Sequence, residues 1–211
     1  CLEPKAGDKI LDLCAAPGAK TSQIASLSPE SEIIAVEKVR PRYYKLLNTL
    51  KQQGADFVKT ILIDGIWVRK KFPEYFDRIL LDSPCSGEGR FFLSNPRSFK
   101  YWKMRKVKEM VHKQKKLMHS AFLALEKGGE LVYSTCTFSP EENEGIIDWF
   151  INKFKEKVEI LPLNFPLDNT SAGIKSWKAK RFSPSVRLCK RILPDANRQG
   201  FFIARIRKIS F

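Results

Sequence analysis

Short apolar runs alternate along the chain with longer stretches whose apolar residues recur at helical spacing. KILDL (9–13), SEIIAVE (31–37), VKTILID (58–64), DRILLD (77–82) and GELVYST (129–135) have strand length and are rich in branched aliphatic residues. Residues 20–27, 40–53, 103–126 and 140–155 read as helices between and after them. In the third, Met104, Val107, Met110, Val111, Met118, Ala121, Phe122 and Leu125 fall roughly on one helical face, which makes them core, and Gly128-Gly129 ends the pattern. VEILPL (158–163) and GFFIARIRK (200–208) read as a sixth and a seventh strand, while 164–190 has no clear period. Strands that alternate with helices predict an α/β fold: a mostly parallel seven-stranded sheet with helices on both faces.

In doubly wound sheets a ligand sits beyond the carboxyl ends of the strands. The chemically notable residues cluster at those ends. DLCAAPGAKT (12–21) follows the first strand, Glu37 ends the second, Asp64 the third and Asp82 the fourth, and Cys136 follows the fifth. The turn Cys14-Ala15-Ala16-Pro17-Gly18-Ala19-Lys20 is built of small residues that let a ligand approach the backbone and the first N–H groups of the next helix.

The letters of that turn exclude two common nucleotide sites. A phosphate loop ending in Lys20-Thr21 needs glycine at 14 and 19, where the chain has Cys14 and Ala19. A dinucleotide fingerprint needs three glycines, and only Gly18 is present. A nucleoside cofactor without a pyrophosphate remains. Glu37, an acceptor-only carboxylate, is placed for both ribose hydroxyls, and Asp64 for the amino group of an adenine. Acids at successive strand ends point to S-adenosylmethionine.

At 211 residues the chain suits one catalytic domain, 1–211, acting as a monomer. A net charge of +15 and a pI near 9.7 make a polyanion the first partner to consider. Nucleic acid outranks a membrane, because there is no long apolar run and no basic amphipathic anchor. The five cysteines are odd in number, widely spaced and without a CxxC pair, so neither a disulfide framework nor a metal site is expected. Reduced thiols imply a cytoplasmic location. The opening CLEPKAGDKI has neither a leader pattern nor an initiator methionine, which suggests an absent upstream part.

Four blocks, LDLCAAPGAKT, LLDSPCSGEG, LVYSTCTFSPEENE and RILPDANRQGFFIARIRK, span nearly the whole chain and resemble the NOL/NOP/Sun family of RNA cytosine-5 methyltransferases. The resemblance implies a Rossmann-like class I S-adenosylmethionine-dependent methyltransferase. Its substrate would be a cytosine in structured RNA, with SGEG and the ending leaning to the bacterial ribosomal-RNA members. A transfer-RNA enzyme shares every block, and an assembly factor that has lost catalysis is a rival of another class. Carbon 5 of cytosine is a weak nucleophile; a thiolate adding at carbon 6 activates it, and the thiol is eliminated after methylation. By resemblance Cys136 in the Thr-Cys motif attacks, and Cys85 in the Pro-Cys motif assists product release. Asp82 would contact the cytosine edge and the cofactor region, and Lys20 would help activate the base or the thiol. The family ordinarily has an upstream RNA-binding region, and it usually has a second glycine where this chain has Ala19. His112 and His119 lie away from the strand ends and are not candidate bases.

Two basic tracts are candidate RNA surfaces. RFFLSNPRSFKYWKMRKVK (90–108) interleaves cations with Phe91, Phe92, Phe99, Tyr101 and Trp102, which suits phosphate contacts and base stacking. KSWKAKRFSPSVRLCKR (175–191) has no acid at all. Cys14 and Cys189 read as small buried residues, although Cys14 also lies in the cofactor turn. The target cytosine must be unpaired or flipped out to expose carbon 5.

Overall fold

A computed structural model describes residues 1–92, 94–164, 167–195 and 198–210. Ala196 and Asn197 of the closing block and Leu93 of the first basic tract lie outside the described residues. The chain forms two compact units. One comprises Leu2–Asp82, Leu117–Val132 and the chain end from Lys208; the other comprises Cys1, Ser83–Lys116 and Tyr133–Arg207.

The first unit contains β1 (Lys9–Asp12), α1 (Ala19–Leu27), β2 (Glu32–Glu37), α2 (Arg40–Gln52), β3 (Lys59–Leu62), the single-turn α3 (Val68–Lys71) and β4 (Phe76–Asp82). Its strand order is β3-β2-β1-β4, then β5, with β3, β2, β1 and β4 parallel. β1 therefore lies in the middle, Asp12 standing between Ala35 and Leu80. Ile10, Leu11, Ile34, Val36, Ile79 and Leu81 are all buried, because a parallel strand is covered on both faces. Two cations complete this unit: Arg78 bonds Asp8, Glu130 and the Leu2 carbonyl. Lys208 is buried against Glu74 and the carbonyls of Phe122 and Leu125.

Chain segments shared by the two units are α4 (Met104–Ala124) and β5 (Leu125–Thr135). α4 stops at Ala124, four residues before the glycine expected to stop it, because the N–H groups of Glu74 and Tyr75 take the carbonyls of Leu123 and Ala124. Its chain is already extended when it reaches Gly128, whose φ of +82° suits glycine.

The second unit contains α5 (Glu144–Phe154), β6 (Val158–Leu161), β7 (Thr170–Ala172), β8 (Ser176–Trp177), β9 (Lys180–Arg181), β10 (Lys190–Ile192) and most of β11 (Phe201–Lys208). β11 neighbours the end of β5, then come β10 and β7, with β6 also on β11; β8 and β9 pair separately. All seven expected strands form. β7 and β10, from the stretch without a period, join the sheet by antiparallel pairing, each only three residues long. α5 begins at Glu144 rather than near 140, because Pro140–Asn143 form a turn closed by a bond from Gly145 N–H to the Pro140 carbonyl. Among the described residues no helix is long and apolar enough to cross a membrane.

Candidate active site

In the first unit four carboxylates stand at or just past the strand ends, each with a partner from a neighbouring segment. Asp12, 1% exposed, accepts a 2.7 Å bond from Thr21 Oγ1 through Oδ2, whereas its buried Oδ1 has no hydrogen-bond partner. Burial, reinforced by the negative charge of Asp82, pushes its carboxyl up to about 6, against the lowering effects of Thr21, the nearby Cys14 backbone N–H and Lys20. Glu37 is 4% exposed: Oε1 accepts from the N–H groups of Lys38 and Val39, and Oε2 lies 3.5 Å from Arg42. Asp64 sits two residues beyond β3 rather than ending it. Its Oδ1 caps the short 3-10 turn Gly65–Trp67 through Ile66 N–H, and its Oδ2 is 3.2 Å from Lys38 Nζ. Asp82 ends β4 and accepts from Lys20 Nζ at 2.7 Å.

Cations tie these ends together. Lys38 links the β2 end to the β3 loop, Lys20 links the β1 turn to the β4 end, and Arg42 donates to the Ala16 carbonyl at 2.6 Å while facing Glu37. The Cys14–Lys20 turn is pinned on the other side by Ala15 N–H bonding the Val36 carbonyl. Ala15, Ala16 and Gly18 are buried, Pro17 and Ala19 exposed. Gly18 has φ +113°, which favours glycine, and a Cβ there would also crowd Leu46 and Thr49 at 3.1 Å. The Cys14 thiol is only partly buried, and burial with the charges of Asp12, Glu37 and Asp82 pushes its ionisation far up. It is a neutral wall of the turn.

In the second unit the two expected cysteines meet. Cys85 Sγ and Cys136 Sγ are 3.3 Å apart, both half-buried and not joined by a disulfide. β4 delivers Cys85 three residues past its end and β5 delivers Cys136 directly, with Ser83 N–H still bonded to the Ser134 carbonyl. The bond to Cys136, then burial, then the charges of Cys136 and Glu142 push the Cys85 thiol strongly up, so it stays protonated.

The loop carrying Cys136 is fixed by residues that the sequence reading did not single out. Asn143 is wholly buried; it accepts from Thr135 Oγ1 at 2.6 Å and donates to the Thr137 carbonyl at 2.9 Å, on either side of the cysteine. Gly89 N–H bonds the Cys136 carbonyl at 3.0 Å. A Cβ on Gly89 would overlap the Gly200 carbonyl, and one on Gly200 would overlap the Phe138 ring, so SGEG and the closing block need their glycines for one contact. Each letter of Glu141-Glu142-Asn143-Glu144 has a separate task. Glu141 takes Trp177 and Lys178, and Glu142 takes Ser86 and Gln114. Glu144 makes a two-bond ion pair with buried Arg191 at 2.7 and 2.6 Å. Burial opposes the charge of Glu141, but Lys178, Trp177 and Ser139 outweigh it and hold the carboxyl at about 2.

The basic tracts divide. Phe91 packs on Phe99 and Trp102, while Phe92 and Tyr101 are exposed, Tyr101 at 82%. In 175–191 the absence of acids is offset in space: Lys178 pairs with Glu141, Lys180 with Asp148 and Arg191 with Glu144. Three of the tract's seven cations are therefore engaged by acids from outside it. Cys189 is fully buried, as its reading as a small core residue required. Among the described residues no group of three or more His, Cys, Asp or Glu could hold a metal ion.

Residues 1–207 match the protein family described as 16S rRNA methyltransferase RsmB/F. The chain is 39% identical over 209 residues to the tRNA (cytosine(49)-C(5))-methyltransferase of Pyrococcus abyssi, covering 98% of this chain and 66% of that protein. It is 37% identical over 204 residues to ribosomal RNA small subunit methyltransferase F of Shigella dysenteriae, covering 96% of this chain and 40% of that protein. It thus spans less than two thirds of either relative. The crystal structure of NSun6 from Pyrococcus horikoshii with SFG superposes with a TM-score of 0.80 at 32% identity, covering all of this chain and 50% of that one. The mostly parallel sheet, the strand-end carboxylates and the touching cysteines sit in a chain matched nearly end to end: it belongs to the RsmB/F family of methyltransferases, within the NOL/NOP/Sun group.

Proposed function

We propose that the chain is the catalytic part of an S-adenosylmethionine-dependent RNA (cytosine-5)-methyltransferase that acts on structured RNA, with ribosomal RNA as the substrate. The observation that carries the reading is the pair of sulfurs in contact at 3.3 Å, on the loops that follow β4 and β5, in a chain of this family. Two thiols in contact suit a reaction with one addition and one elimination. Transfer RNA is the second reading, favoured by the Pyrococcus abyssi relative.

The first unit's strand ends fit the cofactor in donor and acceptor sense. S-adenosylmethionine offers donors at its ammonium, ribose hydroxyls and adenine amino group, and the unpartnered Oδ1 of buried Asp12 is an acceptor in need of one. The Cys14–Lys20 turn, Glu37, Asp64 and Asp82 are the proposed holding residues, and Asp12 joins them in this proposal because of its open acceptor. Glu37 already bonds two backbone N–H groups, so a ribose would use its remaining lone pairs. When bound, the cofactor supplies the methyl group. The SFG in the NSun6 structure, an analogue of that cofactor, supports the assignment.

In the proposed chemistry the Cys136 thiolate adds to carbon 6 of cytosine, forming a carbon–sulfur bond and raising electron density at carbon 5. After methylation the carbon 5 proton leaves, the carbon–sulfur bond breaks, and Cys85 assists release. Asp82, held by Lys20, contacts the cytosine edge. The test is methyl incorporation by the intact natural protein into ribosomal and transfer RNA. Incorporation into the small-subunit ribosomal RNA, lost in Cys136→Ala, is expected; label in transfer RNA alone selects the second reading, and label in neither refutes both.

A further inference from the structure

The Pro-Cys loop is clamped by two buried residues. Gln114, wholly buried on α4, donates through Nε2 to the Pro84 carbonyl at 3.0 Å and to Glu142 Oε2 at 2.8 Å. Glu142, also wholly buried, accepts from Ser86 N–H at 3.0 Å through the same oxygen, and its Oε1 lies 3.5 Å from Thr137 Oγ1. Ser86 and Thr137 add a 2.8 Å hydroxyl contact. The residues on both sides of Cys85, and one neighbour of Cys136, therefore converge on one amide and one carboxylate. Sequence proximity explains none of this, since Gln114 is far from both cysteines along the chain.

We propose that Glu142 and Gln114 are positioning residues for Cys85, holding its loop against Cys136 and making the two thiols unequal. Two sulfurs in contact cannot both ionise easily, because the second negative charge is opposed by the first. The pair loses one proton to solvent. With an ionised carboxylate fixed at Ser86, the remaining proton stays on Cys85, whose S–H donates to the Cys136 thiolate. Burial raises the ionisation of Glu142 itself, opposed by its bonds to Ser86 and Gln114. Another charged group near this cluster is Glu88, also raised by burial, with Thr137 and Trp102 opposing the rise. A thiolate, not a thiol, is the nucleophile, so the bias selects which sulfur attacks. The inference rests on the proposed function only in taking Cys136 as the attacking sulfur.

Residue-resolved alkylation by iodoacetamide, followed by peptide mass spectrometry across neutral to alkaline pH, tests it without RNA or cofactor. In the unaltered chain Cys136 reacts about tenfold faster than Cys85 near neutrality. Glu142→Gln narrows that ratio several-fold, Glu142→Asp restores much of it, and Gln114→Met narrows it by releasing the Pro84 carbonyl. Cys189 is an internal fold control, because it is buried in the same unit and must stay unmodified. Equal rates in the unaltered chain overturn the proposal, whatever the variants do. So does a ratio unchanged in Glu142→Gln while Cys189 stays protected. A chain with this alkylation pattern but no methyl transfer leaves the clamp standing and sinks the function instead.

Discussion

Asp12 shows how much a single letter can hide. It is buried, uses one oxygen for Thr21 and leaves the other without a partner, and its carboxyl is pushed from the usual value of 3.8 up to about 6. An acid raised in the folded state binds protons more readily folded than unfolded, so stability falls as pH rises from about 4 through about 6. Asp12→Asn, which keeps an acceptor for Thr21, removes that penalty. Its stability relative to the unaltered chain should rise by roughly 1 kcal/mol between about pH 5 and about pH 7.5, measured by urea midpoints. A difference independent of pH would refute the buried, raised carboxyl. The paired sulfurs were legible because their letters follow strand ends, where the topology gathers them. Lys38, Arg42, Gln114 and Asn143 were not, because their roles arise from contacts to segments distant in sequence or to backbone carbonyls that no motif marks.

Elements of four or more residues with a strong period were legible, and their ends were not. The end of α4 is set by Glu74 and Tyr75, and the start of α5 by the Pro140 turn, so local composition alone could not fix either. β7 and β10 were invisible because strands of three residues carry no measurable alternation. What anchors β10 to α5 is the Glu144–Arg191 pair, whose guanidinium also donates to the Phe138 carbonyl at 3.0 Å. Arg191→Met leaves Glu144 charged and buried without its cation, and should cost about 3–5 kcal/mol. The double variant Arg191→Met with Glu144→Gln should recover part of that loss, since no unpaired charge remains. Thermal unfolding of the two checks this; a double variant less stable than the single one contradicts it.

Across the whole molecule the +15 charge points to a polyanion but does not say which surface would meet it. Lys178, Lys180 and Arg191 are engaged by acids of the same unit, whereas the exposed Phe92, and the exposed Tyr101 with Lys100 over its ring, remain suited to stacking and phosphate contact. The sheet and the two Cys motifs were readable because a doubly wound order sends chemistry to the strand ends. Cys136 is the proposed bond-forming sulfur and Cys85 the proposed releasing one. The intact natural protein, incubated with its RNA and the methyl donor and run on a denaturing gel, tests this most directly. A slow-migrating protein–RNA band is expected in Cys85→Ala and none in Cys136→Ala; a band in Cys136→Ala and none in Cys85→Ala would reverse the two roles.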